Sequence, residues 1–328
     1  MQRRAQQETA VSEQRPARSL KDYIGLVLRG MAMGASDIVP GVSGGTMAFI
    51  LGIYEELIDS LRMLGDPRFL QALFRFRIKE IFNILNWKFL VSVFSGILLS
   101  ILILSRGLEW LLVNEPVLLW SFFFGLVLAS VFVVARRIKK WQPQMVAVLI
   151  VGTVSAYLLV GAAPTHTPNT WWFYMLSGAV AICAMILPGI SGAFILVLLG
   201  KYQHVLTAVN NRDIITVGFV AVGAVIGLVT FAQILNWLFK HYHDITVAAL
   251  TGLMIGSLRK VWPWKVDIAW LTDDKGEFVL SHGERIVTAQ QNIWPNVAAN
   301  MNEFLTAVLL AIIGLGFVLL LERLANLE

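Results

Sequence analysis

Charged residues are scarce in this chain: only 14% of its 328 positions are Asp, Glu, Lys or Arg. Soluble domains carry about a quarter, so the scarcity excludes an ordinary water-exposed surface over most of the sequence. The single cysteine, Cys183, excludes an intrachain disulfide. The first 20 residues are polar and lack the apolar stretch of a signal peptide. Because they are rich in arginine, we expect residues 1–20 to form a disordered cytoplasmic tail.

The motifs of common enzyme and cofactor sites are also missing. No Walker loop, HExxH sequence, Rossmann fingerprint or nucleophile elbow occurs. The five histidines do not stand at ligand spacing with Cys, Asp or Glu, so we expect no metal site. The sequence therefore predicts a protein that is not an enzyme and that binds no cofactor. Its net charge of +5 comes from basic residues in loops, which favours contact with anionic lipids over binding of nucleic acid.

Long apolar runs are abundant. Hydrophobic residues make up 57% of the chain, and runs near the roughly 20 residues that cross a bilayer recur five times. They cover residues 89–104, 116–135, 146–161, 214–234 and 304–321. One such run fits a buried helix of a soluble core, but five in one chain do not. We therefore predict an all-α, multi-pass integral membrane protein.

One sequence pattern occurs twice. The first copy reads Asp37-Ile-Val-Pro-Gly-Val-Ser-Gly-Gly45 and continues to Leu-Gly-Ile-Tyr54; the second reads Met185-Ile-Leu-Pro-Gly-Ile-Ser-Gly-Ala193 and continues to Leu-Gly-Lys-Tyr202. We call the shared Pro-Gly-[Val/Ile]-Ser-Gly segment the PGxSG motif. A later block also aligns, since Trp110, Gly125 and Ser130 match Trp237, Gly252 and Ser257. These matches predict one membrane domain made of copy one at residues 21–163 and copy two at residues 168–325.

Each copy begins with an apolar stretch that the PGxSG motif interrupts. In copy one the stretch before the motif, residues 23–36, is too short to span a membrane, and the piece after it is shorter still. This pattern predicts a re-entrant helical hairpin, followed by about three transmembrane helices, in each copy. Because three crossings is an odd number, the second copy would be inverted relative to the first, as in many secondary transporters.

The distribution of basic residues gives the expected orientation. With the N-terminus in the cytoplasm, the basic loops at residues 75–79 and 136–140 lie inside, and the loop at 161–169, which has no Lys or Arg, lies outside. The long loop at 259–302 also falls outside. Outside the membrane we expect an amphipathic interfacial helix at residues 72–87 and a small β-hairpin near residues 267–280.

The PGxSG motif is the main candidate for chemistry. Pro40 ends a helix, the glycines allow close backbone approach, and Ser43 or Thr46 can cap the next helix. Backbone N–H groups at such a helix start form an anion site, and two of these loops could converge near the midplane. Two other readings stay open: the motif merely kinks helices and lets them pack closely, or its carbonyls bind a cation.

Ionisable residues flank the first motif. Arg29 is a candidate to pair with a phosphate, although it is also placed to snorkel to the interface. Asp37 and Glu55 are the candidates for a coupling proton or Na⁺, whereas we expect Glu56 to sit at a solvated helix end. The second copy has Met185 and Gln203 where the first has Asp37 and Glu55, so we expect an asymmetric site.

The doubled motif resembles domain-of-unknown-function family 368, whose members are identified as bacterial polyprenyl-phosphate transporters. The resemblance covers nearly the whole chain apart from the polar tail. It implies a flippase that moves undecaprenyl phosphate across the cytoplasmic membrane for recycling of the cell-wall lipid carrier. The substrate-binding residues expected from the motif and its surroundings are Arg29, Ser36, Asp37, Pro40, Gly41, Ser43, Gly44, Gly45, Thr46, Pro188, Gly189, Ser191 and Gly192.

Two other functions remain as alternatives. The first is an ion-coupled transporter or channel for a small anion or cation that uses the same re-entrant loops. The second is a lipid phosphatase, against which the missing catalytic residues argue. The expected partners are the lipid phosphate, membrane lipids and a coupling H⁺ or Na⁺; the sequence leaves open whether the chain forms a homodimer.

Overall fold

A computed structural model describes most of the chain. The described residues are 18–38, 43–165, 167–270, 272, 278, 280–281, 284–285, 287–298 and 300–325. Residues 1–17 of the expected tail, and Pro40 and Gly41 of the first PGxSG motif, lie outside them.

The described part of the chain is mostly helical, as predicted. Its helices are α1 (Leu20–Ile38), α2 (Gly44–Ile50), α3 (Tyr54–Arg62), α4 (Pro67–Phe74), α5 (Ile78–Ile84), α6 (Trp87–Asn114), α7 (Pro116–Ala135), α8 (Pro143–Val160), α9 (Trp171–Ile186), α10 (Gly192–Leu198), α11 (Tyr202–Asn210), α12 (Ile214–Ser257) and α13 (Met301–Ala325). The strands are β1 (Lys265–Trp270), β2 (Leu280–Ser281), β3 (Glu284–Arg285) and β4 (Val287–Asn292). A 3-10 turn, Met63–Gly65, follows α3.

Five of the described helices are long and apolar enough to cross a membrane: α6, α7, α8, α12 and α13. This number supports the predicted multi-pass protein. Helix α12 has 44 residues, and Tyr242 breaks it with non-helical dihedrals (φ −137°, ψ 46°). At about 1.5 Å per residue it is much longer than the roughly 30 Å of a bilayer core. In copy one this part of the repeat forms two separate helices, α6 and α7. In copy two it forms one kinked helix, α12.

The helix contacts follow the same order in the two copies. Helix α1 packs on α6, and α9 packs on α12. The contacts of the last helices are exchanged, because α7 of copy one packs on α13 of copy two, while α8 of copy one packs on α12. The two copies are thus interlocked rather than folded side by side.

Glycines form both exchanged contacts, and two of them, Gly125 and Gly252, occupy matching positions in the two copies. A Cβ added at Gly125 would lie 1.8 Å from the Ala311 oxygen, and one at Gly314 would lie 2.1 Å from the Phe122 oxygen. At the other contact, Gly252 approaches the backbone of α8 and Gly152 approaches that of α12 in the same way. Small residues let membrane helices approach this closely without a hydrophobic driving force between them.

Three elements differ from the sequence predictions. Helix α1 has 19 residues and extends beyond the predicted residues 23–36 at both ends. The predicted interfacial helix at 72–87 is interrupted near Phe76, whose φ of 51° ends one helix before α5 begins. The predicted β-hairpin near residues 267–280 is described in part, because its turn, residues 273–277, lies outside the described residues. An antiparallel bridge joins Thr272 to Phe278 on either side of that turn, and the longer strand β1 pairs antiparallel with β4, which the sequence did not indicate.

The glycine contact between α7 and α13 gives a prediction for stability. Gly125→Ala should lower the free energy of unfolding by about 1–3 kcal/mol, because the added methyl group meets the backbone of α13. Gly316→Ala, on α13, is the control, since nothing lies within 4 Å of its Cβ position. Thermal unfolding of the purified protein in detergent measures both, and equal midpoints for the two variants would contradict the tight contact.

Candidate functional site

The end of α9 leaves backbone carbonyls without helical partners. Pro188 has no N–H and follows the last helical residue, Ile186, by two positions. In an apolar environment such carbonyls need another donor. Copy one supplies it: the Tyr54 hydroxyl donates to the Ile186 oxygen at 3.2 Å. The Ser43 hydroxyl lies 3.3 Å from the oxygens of both Met185 and Leu187.

Copy two also donates a hydrogen bond to copy one. The N–H of Gly189, in the second PGxSG motif, donates to Oγ1 of Thr46 at 2.9 Å. Gly189 has a φ of +89°, which an L side chain rarely adopts, and an added Cβ would lie 2.6 Å from Oγ of Ser257. A Cβ on Gly45 would lie 2.5 Å from the Ile186 oxygen. The two motifs are therefore in direct contact, and each supplies hydrogen-bond partners that the other lacks.

The start of α2 is already capped from within copy one. The N–H of Gly44 donates to Oδ1 of Asp37 at 2.7 Å, and the N–H of Gly45 donates to the Ser43 hydroxyl at 3.1 Å. The sequence predicts that these two N–H groups help to bind an anion. In this structure the carboxylate of Asp37 already accepts the Gly44 N–H. A phosphate can bind there only after Asp37 has moved away.

The corresponding position in copy two has no such carboxylate. Ser191 is the N-cap residue of α10, but its side chain makes no capping hydrogen bond. Met185 stands where copy one has Asp37. Helices α10 and α11 are bent by 112°, a geometry that fits either a broken span or a re-entrant loop. The two helix starts thus differ in their capping hydrogen bonds, and the asymmetric binding site stays a prediction.

Aromatic rings surround the contact between the motifs. Tyr54 is buried, and its ring centroid lies 4.9 Å from that of Phe49 and 5.9 Å from that of Phe239 on α12. The Arg137 guanidinium lies over the Phe49 ring at 5.2 Å. This packing fixes the direction of the Tyr54 hydroxyl toward α9.

The remaining candidates lie at different distances from the motifs. Ser36 is buried on α1. Arg29 is half-buried and precedes Asp37 by eight residues, about 12 Å along the helix. Glu55 is half-exposed, and its Oε1 lies 3.4 Å from Nε2 of His243. The contacts do not bring Glu55 to the PGxSG motifs, and the roles of all three residues stay predictions.

Glu56 is not the solvated group that we expected. It receives two hydrogen bonds from Arg18, at 2.7 and 2.6 Å, and one from Asn86 at 2.8 Å. The bidentate pair holds the start of the described chain against α3. Sequence spacing gave no sign of this pair, because its members are 38 residues apart.

Two basic features were missed in the sequence. Lys201 is buried, and its Nζ donates to the Thr167 oxygen and to Oδ1 of Asn169, which ties the loop between the copies to copy two. Lys260 and Lys265 lie in a pocket beside the β-sheet. For the first, the visible signal was a lysine, Lys201, at the position where the repeated Leu-Gly-x-Tyr pattern has Ile53 in copy one. No cluster of His, Cys, Asp and Glu able to hold a metal occurs among the described residues.

The fold and the site define a multi-pass membrane protein in which two copies of one motif meet. Comparison with known proteins gives its family. Residues 33–279 match the family described as undecaprenyl phosphate translocase-like, and the chain belongs to this family. No solved structure matches the chain significantly.

Two curated relatives carry the name polyprenyl-phosphate transporter. The protein from Vibrio cholerae serotype O1 is 41% identical over 93% of this chain and 98% of its own length. The protein from Staphylococcus aureus is 31% identical over 72% of this chain and 85% of its own length.

The hydrogen bond between Thr46 and Gly189 gives a second stability prediction. Thr46→Val should cost about 1–3 kcal/mol of unfolding free energy, because it leaves the buried Gly189 N–H without an acceptor. Thr251→Val is the matched control: Thr251 is equally buried, but its hydroxyl only donates to the Val247 carbonyl within its own helix. Chemical denaturation of the purified protein compares the two, and a similar loss in both would argue against a special role for the bond between the copies.

Proposed function

We propose that this protein transports polyprenyl phosphate, and that it returns undecaprenyl phosphate across the bacterial cytoplasmic membrane for reuse as the cell-wall lipid carrier. Membership of the translocase-like family and the names of the two relatives support the substrate. The observation that carries the site is the set of hydrogen bonds between the two motif regions, that is, the PGxSG motifs with their flanking residues. It gathers hydroxyl and backbone N–H groups from both copies at one place in an apolar protein.

The chemistry of the substrate fits such a place. A phosphate headgroup needs hydrogen-bond donors when it leaves water, whereas a polyprenyl tail can stay in the lipid during transport. In our proposal the headgroup takes the Gly44 N–H group when the Asp37 side chain moves away. Uptake of a proton by Asp37 favours this exchange, because a neutral carboxyl gives up the N–H group more readily than a carboxylate. Asp37 then links proton movement to headgroup binding.

We also propose that the two copies have inverted topology and that their motif hairpins are re-entrant. The exchanged contacts of α7 with α13 and of α8 with α12 support this proposal, since matching glycines form both. Inverted repeats around a shared site provide two similar conformations with opposite openings. Alternating exposure of the motif contact would then move the headgroup between the two sides.

A transporter or channel for a small ion is the second candidate function. Asp37 and the carbonyls near Pro188 are also suitable groups for a cation. Competition separates the two functions: undecaprenyl phosphate should block uptake of a radiolabelled ion only if they share a site. A lipid phosphatase would instead release inorganic phosphate from a polyprenyl substrate.

The proposed role of Asp37 is tested by Asp37→Asn. Asparagine keeps an acceptor for the Gly44 N–H but cannot take up a proton, so the protein should insert normally and lose transport in reconstituted vesicles. The control is Asp66→Asn, which changes the same charge at the N-cap of α4, where asparagine also caps well. Wild-type transport by Asp37→Asn would remove Asp37 from the coupling mechanism.

Two further variants test the rest of the proposed site. Ser43→Ala and Arg29→Ala should each lower the transport rate by about tenfold or more, the effect of losing one hydrogen bond to a charged group. If neither variant nor Asp37→Asn changes transport, the assigned site is wrong even though the family assignment stands.

The proposed topology is tested on both sides of α8. In a Cys183→Ser background, Ala163→Cys and Lys140→Cys place single thiols at exposed positions in the loops that follow and precede this helix. A maleimide that cannot cross membranes should label Ala163→Cys in intact spheroplasts and Lys140→Cys only after lysis. The opposite labelling pattern would reverse the proposed orientation.

A further inference from the structure

A basic pocket lies between the ends of two helices and the β-sheet. It has a volume of about 650 Å³, within the roughly 300–1,000 Å³ of small-molecule sites. Residues that follow α12 line one side, residues of β4 line another, and the end of α8 closes a third. Its basic and aromatic lining includes the side chains of Tyr157, Phe194, Arg259, Lys260, Trp262 and Lys265.

The three basic residues of the pocket, all half-buried, are held in place without a carboxylate. Arg259 donates to the Tyr157 carbonyl at 3.0 Å, Lys260 lies over the Phe194 ring at 5.2 Å, and Lys265 donates to the Lys260 carbonyl at 2.8 Å. Among the described residues none of the three forms an ion pair with Asp or Glu. A described carboxylate, Asp267, interacts electrostatically with Lys260 and Lys265, but it is exposed and its Oδ1 accepts a hydrogen bond from Gln290.

Burial disfavours the charged form of the two lysines, although Lys265 also lies over the Trp120 ring at 3.3 Å. Burial, and then the nearby charge of Lys260, lower the pKa of Lys265 well below its ordinary value. Burial also lowers the pKa of Lys260. Both pKa shifts have the direction expected where burial disfavours the charged form of an amine. A bound anion would offset that penalty for both groups.

The pocket adjoins the second PGxSG motif. Phe194 belongs to α10, which follows that motif directly, and Ser257, at the end of α12, lies against Gly189. Tyr157, on the outer wall, is 51% exposed, and α8 around it presents apolar side chains to the outside. A ligand with a charged head and an apolar tail could therefore place its head among the cations while its tail follows α8 into the lipid.

We propose that this pocket binds a phosphate monoester, and that in the membrane this is the headgroup of the polyprenyl phosphate before it reaches the contact between the motifs. The proposal rests on the proposed transport function. The pocket lies on the side of the 161–169 and 259–302 loops, which we expect to be outside. It is thus the capture site on the side from which the lipid is returned.

Binding of two ligands to the purified full-length protein in nanodiscs tests the pocket. The ligands are undecaprenyl phosphate, incorporated in the disc, and inorganic phosphate, added to the buffer. Lys260→Gln and Lys265→Gln should each weaken phosphate binding by about tenfold in at least one of the two arms. Loss in the lipid arm alone identifies a headgroup site, and loss in both arms identifies a site for phosphate from either source.

Two controls separate the pocket from the fold and from the transport function. Lys79→Gln removes the same charge from the exposed helix α5 and should leave binding unchanged. Ala162→Trp keeps every cation but fills part of the pocket, so it should weaken lipid binding even if a lysine variant folds poorly. Wild-type affinity of Lys260→Gln, Lys265→Gln and Ala162→Trp in both arms overturns the pocket. If those variants also transport normally while Asp37→Asn does not, the transport proposal stands without it.

Discussion

Backbone polar groups at a helix break must find partners when water is absent, and the rest of this structure depends on that requirement. Pro188 ends α9 and leaves carbonyls that no helical N–H can reach. Ser43 and Tyr54 of the other copy provide the donors, and Thr46 accepts the N–H of Gly189. Without the second copy the Tyr54 and Thr46 hydroxyls would lose these buried hydrogen bonds, and Ser43 would keep only the one from the Gly45 N–H. The break in one copy thus requires the other copy to lie against it.

The surrounding helices hold that contact in position. The two glycine contacts, between α7 and α13 and between α8 and α12, exchange helices between the copies, so the copies cannot separate without unpacking both. Helix α12 also reaches the first motif region directly. Its Phe239 packs on Tyr54, and its Asn236 donates to Asp59 at 3.0 Å. A helix of copy two, α12, therefore supports Tyr54 and Asp59 of copy one.

Much of this architecture could be predicted from residue patterns. Apolar runs marked the long helices, because membrane-spanning helices need about 20 apolar residues. The doubled motif marked the helix breaks, because proline and glycine act on their own backbone. The family resemblance proposed from the same residues is confirmed by the match over residues 33–279.

The features that sequence reasoning missed depend on contacts between distant residues. Nothing in the spacing of Arg18 and Glu56 indicates that they pair, and nothing near β1 indicates that β4 is its partner. The pocket around Lys265 was hidden for the same reason. Its walls come from five separate parts of the chain, so the charge pattern of any one segment cannot reveal it.

The contact between the motifs also determines when, during translation, the site can form. Thr46 is synthesised 143 residues before the glycine that bonds to it. While the first copy enters the membrane, Ser43, Thr46 and Tyr54 therefore have no cross-copy partners. They gain them only when the loop after α9 has left the ribosome and inserted. The site is thus completed late in translation. Until then, lipid, water or an insertion factor must take the place of the missing hydrogen-bond partners of the first copy.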